Sequence, residues 1–159
     1  MCQTMSFAQY PSLRGRTVLV TGGGSGIGAE IVRAFCGQNA HVAFLDIQKQ
    51  AGDALSDETG AVFEAVDITD TLALQASIER VAAKLGPVQV LVNNAANDQR
   101  QDISDISSDD WDISQNVNLR AQFFAAQAVR PGMAAAGGGA IINISSIVWR
   151  LAGGDMVPY

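Results

Sequence analysis

At 159 residues and 48% hydrophobic, the chain holds enough apolar material for one sizeable core. Its formal charge of −6, with no Lys/Arg block, argues against nucleic acid or an anionic membrane as the main partner. Cys2 and Cys36 fit no metal spacing and no disulfide framework, MCQTMSFAQY lacks a signal-peptide pattern, and no apolar run reaches the roughly 18–20 residues a bilayer needs. A reducing, cytoplasmic setting is the expectation.

Residues 1–16 read as a polar arm with a break at Tyr10-Pro11. Beyond it, short apolar runs alternate with helix-like stretches. TVLVT (17–21) predicts a buried strand, and IGAEIVRAFCGQN (27–39) predicts a helix with Ile27, Ile31, Ala34 and Phe35 on its apolar face. HVAFLD (41–46) is a second strand, followed by a helix to about Glu58; AVFEAVD (61–67) is a third, followed by a helix over 72–86. VQVLVNN (88–94) is a fourth strand. A polar loop then leads to Ser107 and Ser108 as N-cap candidates for one long helix to about Ala136, and GGGAIINIS (137–145) makes a turn and a fifth strand. Strands alternating with helices imply right-handed crossovers and a parallel α/β sheet, whose ligands gather at the carboxyl ends of the strands.

The residues that follow the strands have the matching chemistry. TGGGSGIG (21–28) lies between a strand and a helix in a G-x-x-x-G-x-G spacing. A diphosphate needs backbone N–H groups at close range and a helix N-terminus aimed at it. Gly22 suits the tight exit from the strand, Gly26 opens the route to phosphate, Gly28 allows close helix–sheet packing, and Ser25 offers a hydroxyl. Asp46 closes the second strand, 18 residues beyond Gly28. A carboxylate there can accept both hydroxyls of an adenosine ribose and repel a 2′-phosphate, which favours NAD over NADP. A solvated strand-end carboxylate is the alternative. Asp67 could accept the adenine amino group, and Asn93-Asn94-Ala95-Ala96 could fix a turn for a cofactor to lie across; a plain Asn-rich turn explains the latter equally. Asn97 to Arg100 and Trp149-Arg150 follow strands as polar and aromatic groups suited to a sugar, although an ordinary solvated loop also accounts for the first. His41 and Cys36 read as structural, and Trp111, Phe123 and Phe124 as core or dimer surface.

Taken in order, TGGGSGIG, Asp46, Asp67, NNAA (93–96), Asn118 in VNL, Ser146 in NISS and Tyr159 resemble the motifs of the classical short-chain dehydrogenases/reductases, with NNAA differing from the commoner NNAG by one methyl. YPSLRG, LVNNAANDQR, VNLRAQFFAAQAV and GMAAAGGGAIIN further resemble the NAD-dependent D-xylose 1-dehydrogenases and related aldose dehydrogenases. The resemblance implies a Rossmann-like, doubly wound parallel sheet in the order 3-2-1-4-5, with residues 17–159 as an incomplete NAD-binding domain. It implies NAD contacts from Gly22, Ser25, Gly26, Ile27, Gly28, Asp46, Asp67, Ile68, Asn94 and Ala95. It makes Tyr159 the acid/base toward a sugar or secondary alcohol, Ser146 (13 residues earlier) the partner of the reacting oxygen, and Asn118 a kink in the long helix that holds a relay water. The parent is expected to be a homo-oligomer acting on a small molecule. The family's Lys, four positions after the Tyr, has no counterpart here, so the chain reads as a partial product with negligible turnover of its own and an uncovered fifth strand. A non-catalytic dinucleotide-binding module and a 3-oxoacyl-type carbonyl reductase stand as alternatives.

Overall fold

The computed structural model describes residues 8–150 together with Asp155, Pro158 and Tyr159. The expectations for Cys2, for the start of the arm and for the Trp149 side chain lie outside the described residues.

Five strands carry the fold: β1 (Thr17–Thr21), β2 (His41–Asp46), β3 (Val62–Ala65), β4 (Val90–Asn93) and β5 (Ala140–Asn143). They pair in the order β3-β2-β1-β4-β5, and each adjacent pair is parallel. Every strand therefore points its carboxyl end the same way. The order reverses at β1, whose neighbours are β2 and β4, so the crevice at this switch point opens beyond Thr21 and Asn93.

Apolar residues on successive strand positions face opposite sides, and both sides are covered. Val18, Val20, Val42, Phe44, Val90 and Val92 pack under α1 (Gly26–Gly37) and α2 (Lys49–Thr59). Leu19, Ala43, Leu45 and Leu91 pack under α3 (Thr71–Leu85) and α5 (Ala121–Ala135), which supply Leu74, Ile78, Val81, Ala125 and Val129. This is why the runs VLV and VAFL are continuous where a one-sided sheet would alternate.

The structure corrects one sequence expectation and refines two. First, α1 buries Gly28, Ala29 and Val32, while Ile27 and Ala34 are exposed. Periodicity alone placed Ile27 on the core face, but it sits in the first turn, beyond the sheet. Second, the long helix runs unbroken over 108–135 but changes its winding at the expected Asn118. Ser107 and Asp110 form a reciprocal capping box that starts α4 (Ser108–Gln115), a single π turn spans Asn116–Arg120, and α5 follows. Third, Trp111 and Phe123 are exposed, so neither belongs to the core. β5 is exposed along all four residues, as expected of an uncovered edge.

Candidate functional site

The crevice begins with the turn after β1. Gly22 N and Gly23 N both donate to Leu45 O, at 2.8 and 3.2 Å, strapping the turn to β2. The Thr21 hydroxyl oxygen accepts from Asn94 N and Ala95 N at 3.0 and 3.1 Å, and Asn94 Nδ2 donates back to Thr21 O and Gly22 O at 3.1 and 3.0 Å. Four hydrogen bonds thus lock the end of β4 onto the end of β1. Asn94 is a brace for the glycine turn, and Thr21 is its counterpart. Sequence reasoning passed over Thr21; the signal was a polar residue closing an otherwise apolar strand.

Glycine is required at two positions for different reasons. Gly26 has φ +53° and a Cβ there would meet nothing within 4 Å, so backbone shape selects the glycine and open space lies in front of it. At Gly28 the constraint is contact: a Cβ would stand 1.9 Å from Gly22 O and 2.7 Å from Asn94 Nδ2. α1 can approach the turn this closely only without a side chain at that point.

Beyond the turn lies a cavity of about 650 Å³. Its lining includes Gly22, Ser25, Gly26, Ile27 and Gly28 from the turn, Asp46 after β2, Asp67 and Ile68 after β3, Asn94, Ala95 and Asn97 after β4, and Tyr159. Eleven of the sequence-selected residues thus meet in one place. Asp46 is buried, with Oδ2 accepting from Gly24 N at 2.8 Å and Oδ1 from Gln48 N at 2.9 Å. A carboxylate has about four lone-pair directions, so both oxygens keep capacity for a ligand's hydroxyls. Asp67 Oδ1 accepts from both the N–H and the hydroxyl of Thr69, which sets its side chain in a tight local turn.

Asn118 and Ser146 are not among the described lining residues. Asn118, in the π turn, accepts from Asn97 N at 2.7 Å through Oδ1, and its Nδ2 donates to Asn97 O at 2.9 Å and to Ser114 Oγ at 3.0 Å. A flipped amide would set donor against donor at Asn97. Both Nδ2 hydrogens are committed, and Asn118 is one residue removed from the cavity through Asn97. Ser146 Oγ accepts from Val148 N at 3.2 Å and helps turn the chain after β5. On the sheet itself, Asn93 Nδ2 donates to Asn143 Oδ1 at 2.9 Å across the β4–β5 register. Cys36 is half-buried at the far end of α1, where burial pushes its thiol pKa up; that favours packing over reactivity.

The residues fit a dinucleotide. The first-turn N–H groups of α1 receive no side-chain cap, Ser25 is extended and exposed, and no acidic residue stands in the first turn. Donors and dipole are therefore free to meet an anion. Open space before Gly26 and the buried Asp46 carboxylate in the same cavity lining suit the phosphate and the ribose of such a ligand.

Comparison with known proteins agrees with this geometry. The short chain dehydrogenase family model matches residues 16–159. The chain is 47% identical over 154 residues to a Rhizobium meliloti (strain 1021) protein designated "Probable galactose dehydrogenase GalD", covering 93% of this chain and 60% of the relative. It is 46% identical over 160 residues to the D-xylose 1-dehydrogenase of Caulobacter vibrioides (strain NA1000 / CB15N), covering 98% and 63%. A crystal structure from Sinorhizobium meliloti 1021, assigned as a short-chain alcohol dehydrogenase, superposes with a TM-score of 0.84 at 37% identity, covering 92% of this chain and 60% of that one. The chain thus spans about three-fifths of the length of these relatives. The crevice, its glycine turn and the matched sequence lead to one assignment: the chain belongs to the short-chain dehydrogenase family.

Proposed function

We propose that this chain serves an NAD-dependent oxidoreductase acting on a sugar or a related secondary alcohol. The observation that carries the reading is Asp46: buried, fixed by Gly24 N and Gln48 N, and lining one cavity with the glycine turn and Tyr159. Its negative charge accepts ribose hydroxyls and opposes a 2′-phosphate. The relatives named for galactose and D-xylose support the sugar as substrate class.

When bound, NAD supplies the hydride acceptor. The chain's own residues do the rest. Backbone N–H groups around Ser25 to Gly28 hold the diphosphate, and Asp46 and Asp67 hold the adenosine. Asn94 keeps the turn in place. Tyr159 Oη takes the proton that leaves the substrate hydroxyl, the general-base role that alcohol oxidation requires. Ser146 Oγ, which accepts from Val148 N, keeps its own hydrogen to donate to the substrate oxygen.

A second reading concerns the 159-residue chain by itself. Ser146 Oγ is engaged by Val148 N and stands apart from the cavity lining, which favours a chain that binds dinucleotide with negligible turnover. One experiment addresses both readings: NADH binding followed by fluorescence, and NAD reduction with D-xylose, D-galactose and a 3-oxoacyl thioester in the reverse direction. Binding of NADH with trace sugar oxidation supports both. Ordinary turnover rates would refute the second reading alone, and preference for the 3-oxoacyl substrate would replace the sugar.

A further inference from the structure

We infer that Ser114 and Gln115 are positioning residues for Tyr159, acting as a two-pronged clamp on the carbonyl of Pro158. The inference rests on the proposed role of Tyr159 but is carried by separate contacts. Ser114 Oγ donates to Pro158 O at 2.8 Å, and Gln115 Nε2 donates to the same oxygen at 2.9 Å. Pro158 is buried and immediately precedes Tyr159, so its carbonyl is the last acceptor before the phenol. Proline has no N–H, which makes that oxygen its sole main-chain handle.

The polarity of the clamp is fixed by chemistry. A serine hydroxyl has one hydrogen to give and lone pairs to receive. Here the hydrogen goes to Pro158 O, and the lone pair receives Asn118 Nδ2 at 3.0 Å. Asn118 in turn grips both backbone groups of Asn97 at 2.7 and 2.9 Å. Ser114 is itself buried, and removing its hydroxyl deprives Asn118 Nδ2 of one of its two acceptors. The result is one directional chain, Asn97–Asn118–Ser114–Pro158, that begins and ends at residues beside the same cavity. It converts the π turn at Asn116–Arg120 into a device: the turn sets Asn118 one helical step from Ser114 and ties the loop after β4 to the segment that carries Tyr159. A family motif marks Asn118 and Tyr159; the clamp supplies the link between them.

Tyr10 and Tyr159 are the two tyrosines of the chain, and the exposed Tyr10 side chain can be changed to Phe. Fluorotyrosine incorporated into a Tyr10→Phe background therefore reports on Tyr159 alone by fluorine NMR. The clamp predicts a resonance displaced from free fluorotyrosine. Ser114→Ala or Gln115→Leu should move it part of the way back, the double variant should move it most of the way, and Ser114→Thr, which keeps the hydroxyl, should restore it relative to Ser114→Ala. Val129→Ala, a core truncation in α5 that does not touch Pro158, should lower thermal stability and leave the resonance in place. A folded double variant, verified by circular dichroism, whose Tyr159 resonance coincides with the parent's overturns the clamp; so does a Val129→Ala shift as large as the double variant's. NADH added to the parent provides an independent arm: no response there counts against the dinucleotide reading, while the comparison among variants still decides the clamp.

Discussion

β1 and β5 are both short apolar runs in one parallel sheet, yet their surroundings differ at every position. All five residues of β1 are buried, and the strand is hydrogen-bonded on both sides, to β2 and β4. All four residues of β5 are exposed, and its described sheet neighbour is β4 alone. The contrast separates two halves of the site. The glycine turn inherits the rigidity of the central strand and is strapped further by Leu45 O, Thr21 and Asn94. Ser146 follows the edge strand and is held by a local bond to Val148 N. The proposed cofactor site is thus built on a strand buried at every position, and Ser146 follows one exposed at every position.

Perturbing the central half should have the largest effect. Gly28→Ala places a methyl 1.9 Å from Gly22 O, where backbone on both sides resists; we expect a loss of about 3 kcal/mol in denaturant unfolding, together with loss of NADH binding. Gly26→Ala is the internal control, since it meets no atom and pays only the left-handed backbone cost of about 1 kcal/mol. Equal losses for the two variants would show that close packing at Gly28 is not the constraint.

Thr21→Val keeps the shape but removes the oxygen that accepts from Asn94 N and Ala95 N. Leaving partly buried N–H groups without an acceptor should cost about 2 kcal/mol, seen as a lower melting temperature and a weakened NADH response. On the edge, Ile142→Lys should cost about 1 kcal/mol or less, because Ile142 is 42% exposed. Its main effect should be reduced self-association by light scattering, since charge blunts an open strand edge. An Ile142→Lys loss exceeding that of Thr21→Val would invert the comparison.

The smallest effect is pH-dependent and lies in the capping box of α4. The Ser107 hydroxyl and backbone N–H hold the Asp110 carboxyl below its ordinary value of 3.8. A depressed carboxyl pKa contributes stability above its unfolded value and loses it as pH falls through the folded value. Thermal melts of Ser107→Ala should therefore lie a few degrees below the parent at neutral pH, and the gap should narrow as the solution is acidified below 3.8, leaving the part due to the lost Asp110 N–Ser107 Oγ bond. A constant gap across that range would assign the effect to the serine alone.

How legible each feature was follows from the range of the interaction behind it. The glycine turn, Asp46 and the alternation of strands and helices depend on contiguous residues, and Gly22, Ser25, Gly26, Gly28, Asp46, Asp67 and Asn94 line one cavity together with Ile27, Ile68, Ala95 and Tyr159, which the family resemblance selected. What remained hidden depends on partners distant in sequence. Asn118 grips Asn97 across 21 residues, and Ser114 reaches Pro158 across 44; no periodicity encodes either. The break in winding at Asn118 was expected through the family resemblance alone, because apolar spacing over 108–135 reads as one regular helix. Ile27 misled in the opposite way, since a hydrophobic residue at helical spacing was assigned to the core when it lines the ligand crevice.

The account stands on the claim that the turn from Gly22 to Gly28 and the buried Asp46 together bind a dinucleotide with an unphosphorylated adenosine ribose. Isothermal titration of the folded chain with NADH and with NADPH tests it most directly. The account predicts measurable heat with NADH and at least about tenfold weaker binding of NADPH, a difference of about 1.4 kcal/mol. Equal affinity for the two, or no heat with either, would contradict it.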